Sequence, residues 1–317
     1  YKVDGGFSGM VMELNTLDPT GGLTSFLSLT NPIFNSTWDI FAIFFAHLPL
    51  GLLPHVGNKL WALKNDADQK KFITIAFIFG MILPAITCGG ILARAILGDA
   101  LLLEGANPNH AIPELFIATL PAWVAALICS GVLAAVMSTA DGLVVSTAQI
   151  FANDIFRRTI APKYMQKTSD ARIDKIGLYI SRIATVLVLM VAIWIAWSTR
   201  EMNVALLVWI GIGGMMAATA APMFLGVLWK GATRVGALSG FVTGGVVFSV
   251  MHGVGFDASW LGNGHLEIVG TFLEEQKINP FACATIGGLC SIVTMYLVSQ
   301  VTEKPSEEHI KRVFGES

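Results

Sequence analysis

The sequence predicts an all-α membrane protein that crosses the bilayer several times. Apolar residues make up 54% of the 317 residues before the 32 glycines are counted, and charged residues make up only 13%. Soluble domains carry about 25% charged residues. Seven apolar stretches also approach the roughly 20 residues that a helix needs to cross the hydrocarbon layer. Helices are expected because they pair their backbone polar groups internally where no water is available.

The seven predicted spans follow one another along the chain. Residues 1–36 are interrupted by Gly, Pro and Asn, so we expect an extracytoplasmic loop there that contains a short interfacial helix at most. Residues 37–301 form the predicted transmembrane bundle, and residues 302–317 form a predicted cytoplasmic tail. The spans are expected near residues 37–57, 72–97, 122–150, 176–198, 204–229, 235–255 and 281–301.

The basic residues of the connections predict the orientation, because Lys and Arg accumulate on the cytoplasmic side. The first, third and fifth connections and the tail hold 15 of them, whereas the second connection has none and the fourth and sixth have one each. This places the N-terminus outside and the C-terminus in the cytoplasm. The chain opens at Tyr1 without an initiator Met or a signal segment, so we expect an upstream part of the protein to precede it. The short connections are typical of a plasma membrane protein of the bacterial inner membrane.

Several classes of function are unsupported by the sequence. A net charge of -2 gives no general attraction for nucleic acid. The motifs H-E-x-x-H, G-x-S-x-G and G-x-x-x-x-G-K-[ST] do not occur, so neither an enzyme nor a cofactor is expected.

The third predicted span carries polar groups in its middle. Ser138, Thr139 and Asp141 lie in an otherwise apolar stretch, and an ionisable group inside a span usually faces a cavity, a partner or an ion path. Hydroxyl, carboxylate and carbonyl oxygens suit a hard cation such as sodium. The alternative is that the hydroxyls only pack and that Asp141 reaches cytoplasmic water. Small residues continue the face of Ser138 and Asp141, namely Gly131, Ala135, Gly142 and Ser146.

The first predicted span contains Pro49, Gly51 and Pro54, which predict a kinked or interrupted helix. Transporters place substrate at such interruptions, because the freed backbone groups can bind it. A simple proline kink is the alternative. The fifth span is rich in Gly and Ala, which favours close helix packing, with a ligand contact by Trp209 as the alternative.

Three separated segments carry a resemblance to a known family. They read GLLPHVGNKLWALKN, IPELFIATLPAWVAALICSGVLAAVMSTADGLVVSTAQIFANDIF and APMFLGVLWKGATRVGALSGFVTGG, and together they fall within residues 40–250. In this order they resemble the sodium:solute symporter family, and the pantothenate and monocarboxylate branches most of all.

The resemblance implies the leucine-transporter fold, in which two inverted five-helix repeats surround a site at the middle of the membrane. This chain would supply the second repeat and trailing helices, and the first repeat would precede it. The implied sodium ligands are the hydroxyls of Ser138 and Thr139 and the carbonyl of Ala135. The remaining ligands would come from a helix of the missing first repeat.

The resemblance also implies that Ala46, Leu50, Pro54 and Trp209 line the substrate cavity. Proline-type members carry aromatic residues where Ala46 and Leu50 stand, which argues against proline as the solute and for a wider, more apolar pocket. The resemblance to the pantothenate and monocarboxylate branches implies a small carboxylate such as pantothenate or a monocarboxylate. Asp141 is left open as a second cation ligand, a proton acceptor or a structural group.

The expected function is sodium-coupled symport of a small organic solute by alternating access. Its expected partners are sodium, the solute, the lipid bilayer and the missing N-terminal half. A symporter-like sensor module and a proton-coupled transporter are the alternatives.

Overall fold

The computed structural model describes residues 3–18, 36–100, 103, 106–262 and 266–315. All regular secondary structure of these residues is helical, which confirms the all-α prediction. Two π-helices, Ile150–Ile160 and Ser249–Gly255, and three short 3-10 helices, Leu48–Leu52, Pro108–His110 and Ala258–Leu261, join the α-helices. The α-helices are α1 (Gly6–Leu17), α2 (Thr37–His47), α3 (Pro54–Trp61), α4 (Asp66–Ile82), α5 (Pro84–Leu97), α6 (Ala111–Thr119), α7 (Ala122–Gln149), α8 (Ala161–Tyr164), α9 (Asp170–Ser198), α10 (Val204–Leu228), α11 (Arg234–Phe248), α12 (Glu267–Gln276), α13 (Pro280–Val301) and α14 (Glu307–Phe314).

Five helical segments of the described residues are long and apolar enough to cross a membrane, so the chain is a polytopic membrane protein. They are Ala122–Tyr164, Asp170–Ser198, Val204–Leu228, Arg234–Gly255 and Pro280–Val301. The other two predicted spans hold shorter apolar helices, Thr37–Gly51 and Cys88–Leu97. The total of seven spans therefore stays a prediction.

The predicted interruption of the first span is confirmed. α2 ends at His47, a 3-10 turn covers Leu48–Leu52, and Leu53 is extended with φ −60° and ψ 140°. α3 then begins at Pro54, whose ring nitrogen has no hydrogen to donate back to the preceding turn.

Two other predicted boundaries change. The third span does not end at residue 150, because a π-helix carries it on to α8 and Tyr164. The Thr159 hydroxyl donates to the Asp154 carbonyl 2.8 Å away, five residues earlier, which is the spacing of a π-helix. The predicted tail holds the helix α14, while α1 lies in the predicted loop 1–36, where a short helix was expected. The remainder of that loop, residues 19–35, lies outside the described residues.

The helices divide into two compact units. The first unit contains α1 and α3 to α9, and the second contains α2 and α10 to α14. In the first unit, α9 packs along α7 and its π-helical continuation, and α5 packs against α6 and α1. An ion pair between Arg157 Nη2 and Asp174 Oδ1, 3.1 Å apart, joins the π-helix to α9.

The second unit is built around close contacts between α10, α11 and α13. Gly240 faces α13 so closely that a Cβ placed on it would lie 2.9 Å from Met295 Cβ and 2.9 Å from the Ser291 carbonyl oxygen. The Ser291 hydroxyl donates to the Gly240 carbonyl over 2.7 Å. Helices in lipid gain little from apolar burial, so small residues and interhelical hydrogen bonds provide the contact. Ala217, Ala220 and Ala221 of α10 are buried as well, as the small residues of the fifth span predicted.

α2 is anchored to α13 within the same unit. The Thr285 hydroxyl donates to the Ala42 carbonyl over 2.8 Å. The Asn279 amide donates to Asp39 Oδ1 over 2.8 Å, and Asp39 Oδ2 accepts from the Ser36 backbone amide at 3.0 Å. The buried Asp39 carboxylate is thus satisfied by hydrogen bonds, which fixes the start of α2 against the start of α13.

Candidate sodium and substrate sites

The middle of α7 is uncovered on all sides by the described residues. Every residue from 130 to 141 is exposed, including Leu133 at 61% and Met137 at 57%. α7 is highly apolar, so the exposed aliphatic side chains of this stretch need lipid or another helix around them.

The predicted sodium ligands lie in this exposed stretch. The Thr139 hydroxyl donates to the Ala135 carbonyl over 3.3 Å, so two of the three candidate oxygens are adjacent. The Ser138 hydroxyl and the Asp141 carboxylate have no hydrogen-bond or ion-pair partner among the described residues. Their oxygens are therefore available to a cation or to a further helix. Their roles as ligands stay predictions.

The C-terminal end of α7, which the basic residues predict to face the cytoplasm, is packed. Ser146 is 6% exposed and accepts a hydrogen bond from the Asn58 amide at 3.1 Å. Asn58 lies on α3, which directly follows the interrupted span. α7 therefore has a well-packed end and an uncovered middle.

The predicted substrate residues lie in the second unit, except for Pro54. Ala46 belongs to a buried apolar cluster, and Leu50 and Trp209 pack against it while keeping part of their surface exposed. The structure therefore brings Ala46, Leu50 and Trp209 together. Pro54 begins α3 in the first unit, and its side chain lies outside the described part of the structure.

Two aromatic residues that were not among the predicted site residues complete this cluster. His47 lies edge-on to Trp209 with ring centroids 4.4 Å apart, and it stacks on Phe281 at 5.5 Å. Trp209 and Phe281 also contact each other at 5.0 Å. The position of His47 beside Ala46, at the end of the broken helix, was the only sequence signal for its involvement. Phe281 gave none, because it lies more than 230 residues further along the chain.

Two carboxyls outside the spanning segments have lowered pKa values. Hydrogen bonding to Lys277, together with the Ala258 backbone amide, lowers the pKa of Glu274. Hydrogen bonding to Ser259 lowers the pKa of Asp257. Both groups organise the connection between α11 and α13, and they are separate from the predicted ligands.

The described residues contain no group of three or more His, Cys, Asp or Glu side chains that would hold a metal ion.

Comparisons with known proteins identify the family of the chain. The Sodium:solute symporter family model matches residues 1–244. The chain is 28% identical over 254 residues to the sodium/pantothenate symporter of Escherichia coli (strain K12), an alignment that covers 78% of the chain and 48% of that protein. It is 29% identical over 185 residues to sodium/proline symporter 2 of Staphylococcus saprophyticus, covering 57% of the chain and 32% of that protein. It is 32% identical over 187 residues to the sodium/proline symporter of Staphylococcus aureus, with the same coverage of 57% and 32%.

The chain thus spans about a third to a half of the length of these curated relatives. No solved structure matches it significantly. The family match covers well over half of the chain. The chain belongs to the sodium:solute symporter family.

Proposed function

We propose that this chain is the C-terminal part of a sodium-coupled symporter that moves a small organic solute by alternating access. The single observation that carries the proposal is the uncovered middle of α7, residues 130–141, which presents the oxygens of Ala135, Ser138 and Thr139. In this proposal a helix of the upstream first repeat covers that stretch and completes a sodium site with these three ligands. The whole protein then has the leucine-transporter fold.

The solute in this proposal is a small carboxylate such as pantothenate or a monocarboxylate. Two observations support this class. Relatives named sodium/pantothenate symporters match the chain, and small or aliphatic residues, Ala46 and Leu50, stand beside Trp209 in the apolar cluster. The orientation proposed from the basic residues has the N-terminus of the chain outside and its C-terminus in the cytoplasm, in a bacterial inner membrane.

Coupling follows if sodium binds one conformation of the transporter more tightly than the other. Sodium entering between α7 and the upstream helix would stabilise the outward-open state, and the solute would bind beside the interruption that follows α2. The gradient of sodium would then drive uptake of the solute.

The test is the thermal stability of the full-length protein in detergent, without organic solute, in sodium and in potassium at equal ionic strength. Sodium at a hundredfold excess over its dissociation constant stabilises a one-site protein by about 2.7 kcal/mol. We expect this shift in the wild type and its loss in Ser138→Ala/Thr139→Ala. The matched control is Ser130→Ala/Thr147→Ala, which removes one Ser and one Thr from the same helix, both of which bond back to its own carbonyls. Equal sodium shifts in all three proteins would refute the site.

Proton coupling is the second candidate, and the exposed Asp141 carboxylate in the apolar α7 favours it. It predicts no sodium shift in the wild type and solute uptake that follows a proton gradient. Asp141→Asn would then abolish uptake, whereas under sodium coupling through Ser138 and Thr139 it would leave the sodium shift in place.

A further inference from the structure

The ring of His47 has a defined hydrogen-bonding state. Its Nδ1 lies 2.6 Å from the carbonyl oxygen of Ile43, one turn earlier on α2. A carbonyl only accepts hydrogen bonds, so Nδ1 carries the hydrogen and donates it. In the neutral imidazole, Nε2 then carries a lone pair and is an acceptor.

The acceptor nitrogen is not enclosed. Trp38 Nε1 is the only buried side-chain nitrogen or oxygen without a partner among the described residues. No described group bonds to His47 Nε2. Nε2 is therefore neither bonded nor fully buried among the described residues.

The surroundings hold the ring in place and are mostly apolar. Phe281 covers one face of the ring and Trp209 stands edge-on to it, and Phe281 is only 8% exposed. His47 is also the last residue of α2, at the point where the helix changes to the turn Leu48–Leu52. An acceptor fixed in apolar surroundings discriminates strongly, because a ligand that lacks the matching donor leaves it without a hydrogen bond.

We propose that His47 is a specificity-determining residue of the substrate site, and that its Nε2 accepts a hydrogen bond from a hydroxyl or amide N–H of the solute. This inference rests on the proposed function. It narrows the solute class from small carboxylates in general to carboxylates that carry a hydrogen-bond donor close to the carboxylate or along the chain. Trp209 and Phe281 act as positioning residues that hold the imidazole.

The test is sodium-driven uptake by the full-length protein in liposomes, with lactate, propionate and pantothenate as probes. Lactate and propionate differ only by one hydroxyl, and pantothenate carries hydroxyls and an amide. We expect the wild type to take up lactate with a kcat/KM about tenfold above that of propionate, the effect of one hydrogen bond near the upper end of the usual range. We also expect it to take up pantothenate.

Three variants distinguish the effect of the Nε2 acceptor on selectivity from the effect of the ring shape. His47→Phe keeps a flat ring against Phe281 but removes the acceptor, and we expect the ratio of lactate to propionate to fall to about one. His47→Gln places an amide oxygen near the position of Nε2, so it should restore part of the ratio. His252→Phe is the matched control, because His252 also bonds through Nδ1 to a carbonyl, that of Lys277, at 2.8 Å, but lies on the π-helix after α11. It should keep the ratio of the wild type.

An unchanged ratio in His47→Phe would overturn the inference. So would a wild type that does not favour lactate, or one that takes up neither donor-bearing probe. The sodium-specific thermal shift, measured without organic solute, distinguishes a failure of the His47 inference from a failure of the proposed function. If the shift is present but His47→Phe leaves the ratio of lactate to propionate unchanged, only the role of His47 is contradicted. If the shift is missing, the proposed sodium coupling is contradicted.

Discussion

α7 and α13 are equally apolar but have very different surroundings. Only 6% of the most apolar part is buried in the long helix that begins with α7, against 50% in α13. α13 buries Thr285, Ser291 and Ser299 completely and uses them for hydrogen bonds to other elements of its unit. Hydropathy thus indicates which segments enter the membrane. In α13, small and hydroxyl residues form the contacts with neighbouring helices, whereas the small and hydroxyl residues in the middle of α7 are exposed.

The largest expected effect comes from filling the glycine contact of α13. In Gly240→Ala the new methyl group would meet Met295 Cβ and the Ser291 carbonyl at 2.9 Å, and such overpacking costs about 1–3 kcal/mol. At Gly131 of α7 a new methyl group would have nothing within 4 Å, and an alanine there also favours the helix by up to about 1 kcal/mol. Thermal denaturation of both full-length variants should therefore show a clear loss for Gly240→Ala and a smaller one, or none, for Gly131→Ala.

Equal losses at the two glycines would contradict this expectation, because they would show that the upstream helix of the proposed function packs on Gly131 as closely as α11 packs on α13. The proposed sodium site needs that helix only at Ala135, Ser138 and Thr139.

A smaller effect is expected from the hydrogen bond between α13 and α2. Thr285→Val keeps the shape of the buried side chain but removes the hydroxyl that donates to Ala42, at a cost of about 1 kcal/mol. Thr185→Val is the control on α9. Among the described residues, the Thr185 hydroxyl bonds only to the Ser181 carbonyl of its own helix. Removing this hydroxyl should change the free energy of unfolding by less than about 0.5 kcal/mol. Chemical denaturation in detergent measures the free energy of unfolding of both variants. An equally large loss in Thr185→Val would contradict the comparison, because it would show that a hydrogen bond within one helix stabilises the protein as much as one between helices.

The smallest effect concerns the connection that leads into α13. The folded protein lowers the pKa of Glu274, so the ionised form stabilises the fold above the ordinary pKa of a glutamate, and this contribution is lost as the pH falls through the lowered value. Hydrogen exchange at the Ala258 amide, which donates to Glu274 Oε2 over 3.1 Å, should accelerate relative to its intrinsic rate as the pH falls below the ordinary pKa of a glutamate and through the lowered pKa of Glu274.

Glu274→Gln provides the control for that measurement. It should remove the pH dependence of the protection at Ala258, while a pH dependence that persists in this variant would have to come from another group.

Local patterns in the sequence predicted much of this architecture. Apolar stretches predicted the helices, and Pro54 predicted the break after α2, because both effects act over a few neighbouring residues. The π-helix after α7 was missed, because residues 150–160 carry no breaker and their hydrogen-bond spacing leaves no mark in composition. The pairs Asp39–Asn279 and His47–Phe281 were missed because their members lie far apart in the chain, where periodicity carries no information.

The candidate site residues were likewise predicted where they lie close together in the sequence and missed where the fold brings them together. Resemblance to the family and the polar middle of a span indicated Ala135, Ser138, Thr139 and Asp141, all on one helix. The neighbours of Trp209 required the fold, because α2, α10 and α13 meet only when the second unit is assembled.

The anchoring of α2 has a consequence for the synthesis of the protein. The Thr285 hydroxyl that holds Ala42 is made 243 residues after it, and the amide that pairs with the buried Asp39 is made 240 residues later. At about 5–20 residues per second, a ribosome takes roughly 10–50 seconds to supply them. During that time the Asp39 carboxylate lacks its bond to Asn279 and keeps only its local bonds with Ser36, while residues 54–202 of the first unit are made. A nascent chain that stops before α13 therefore lacks both of the hydrogen bonds that anchor α2 to α13.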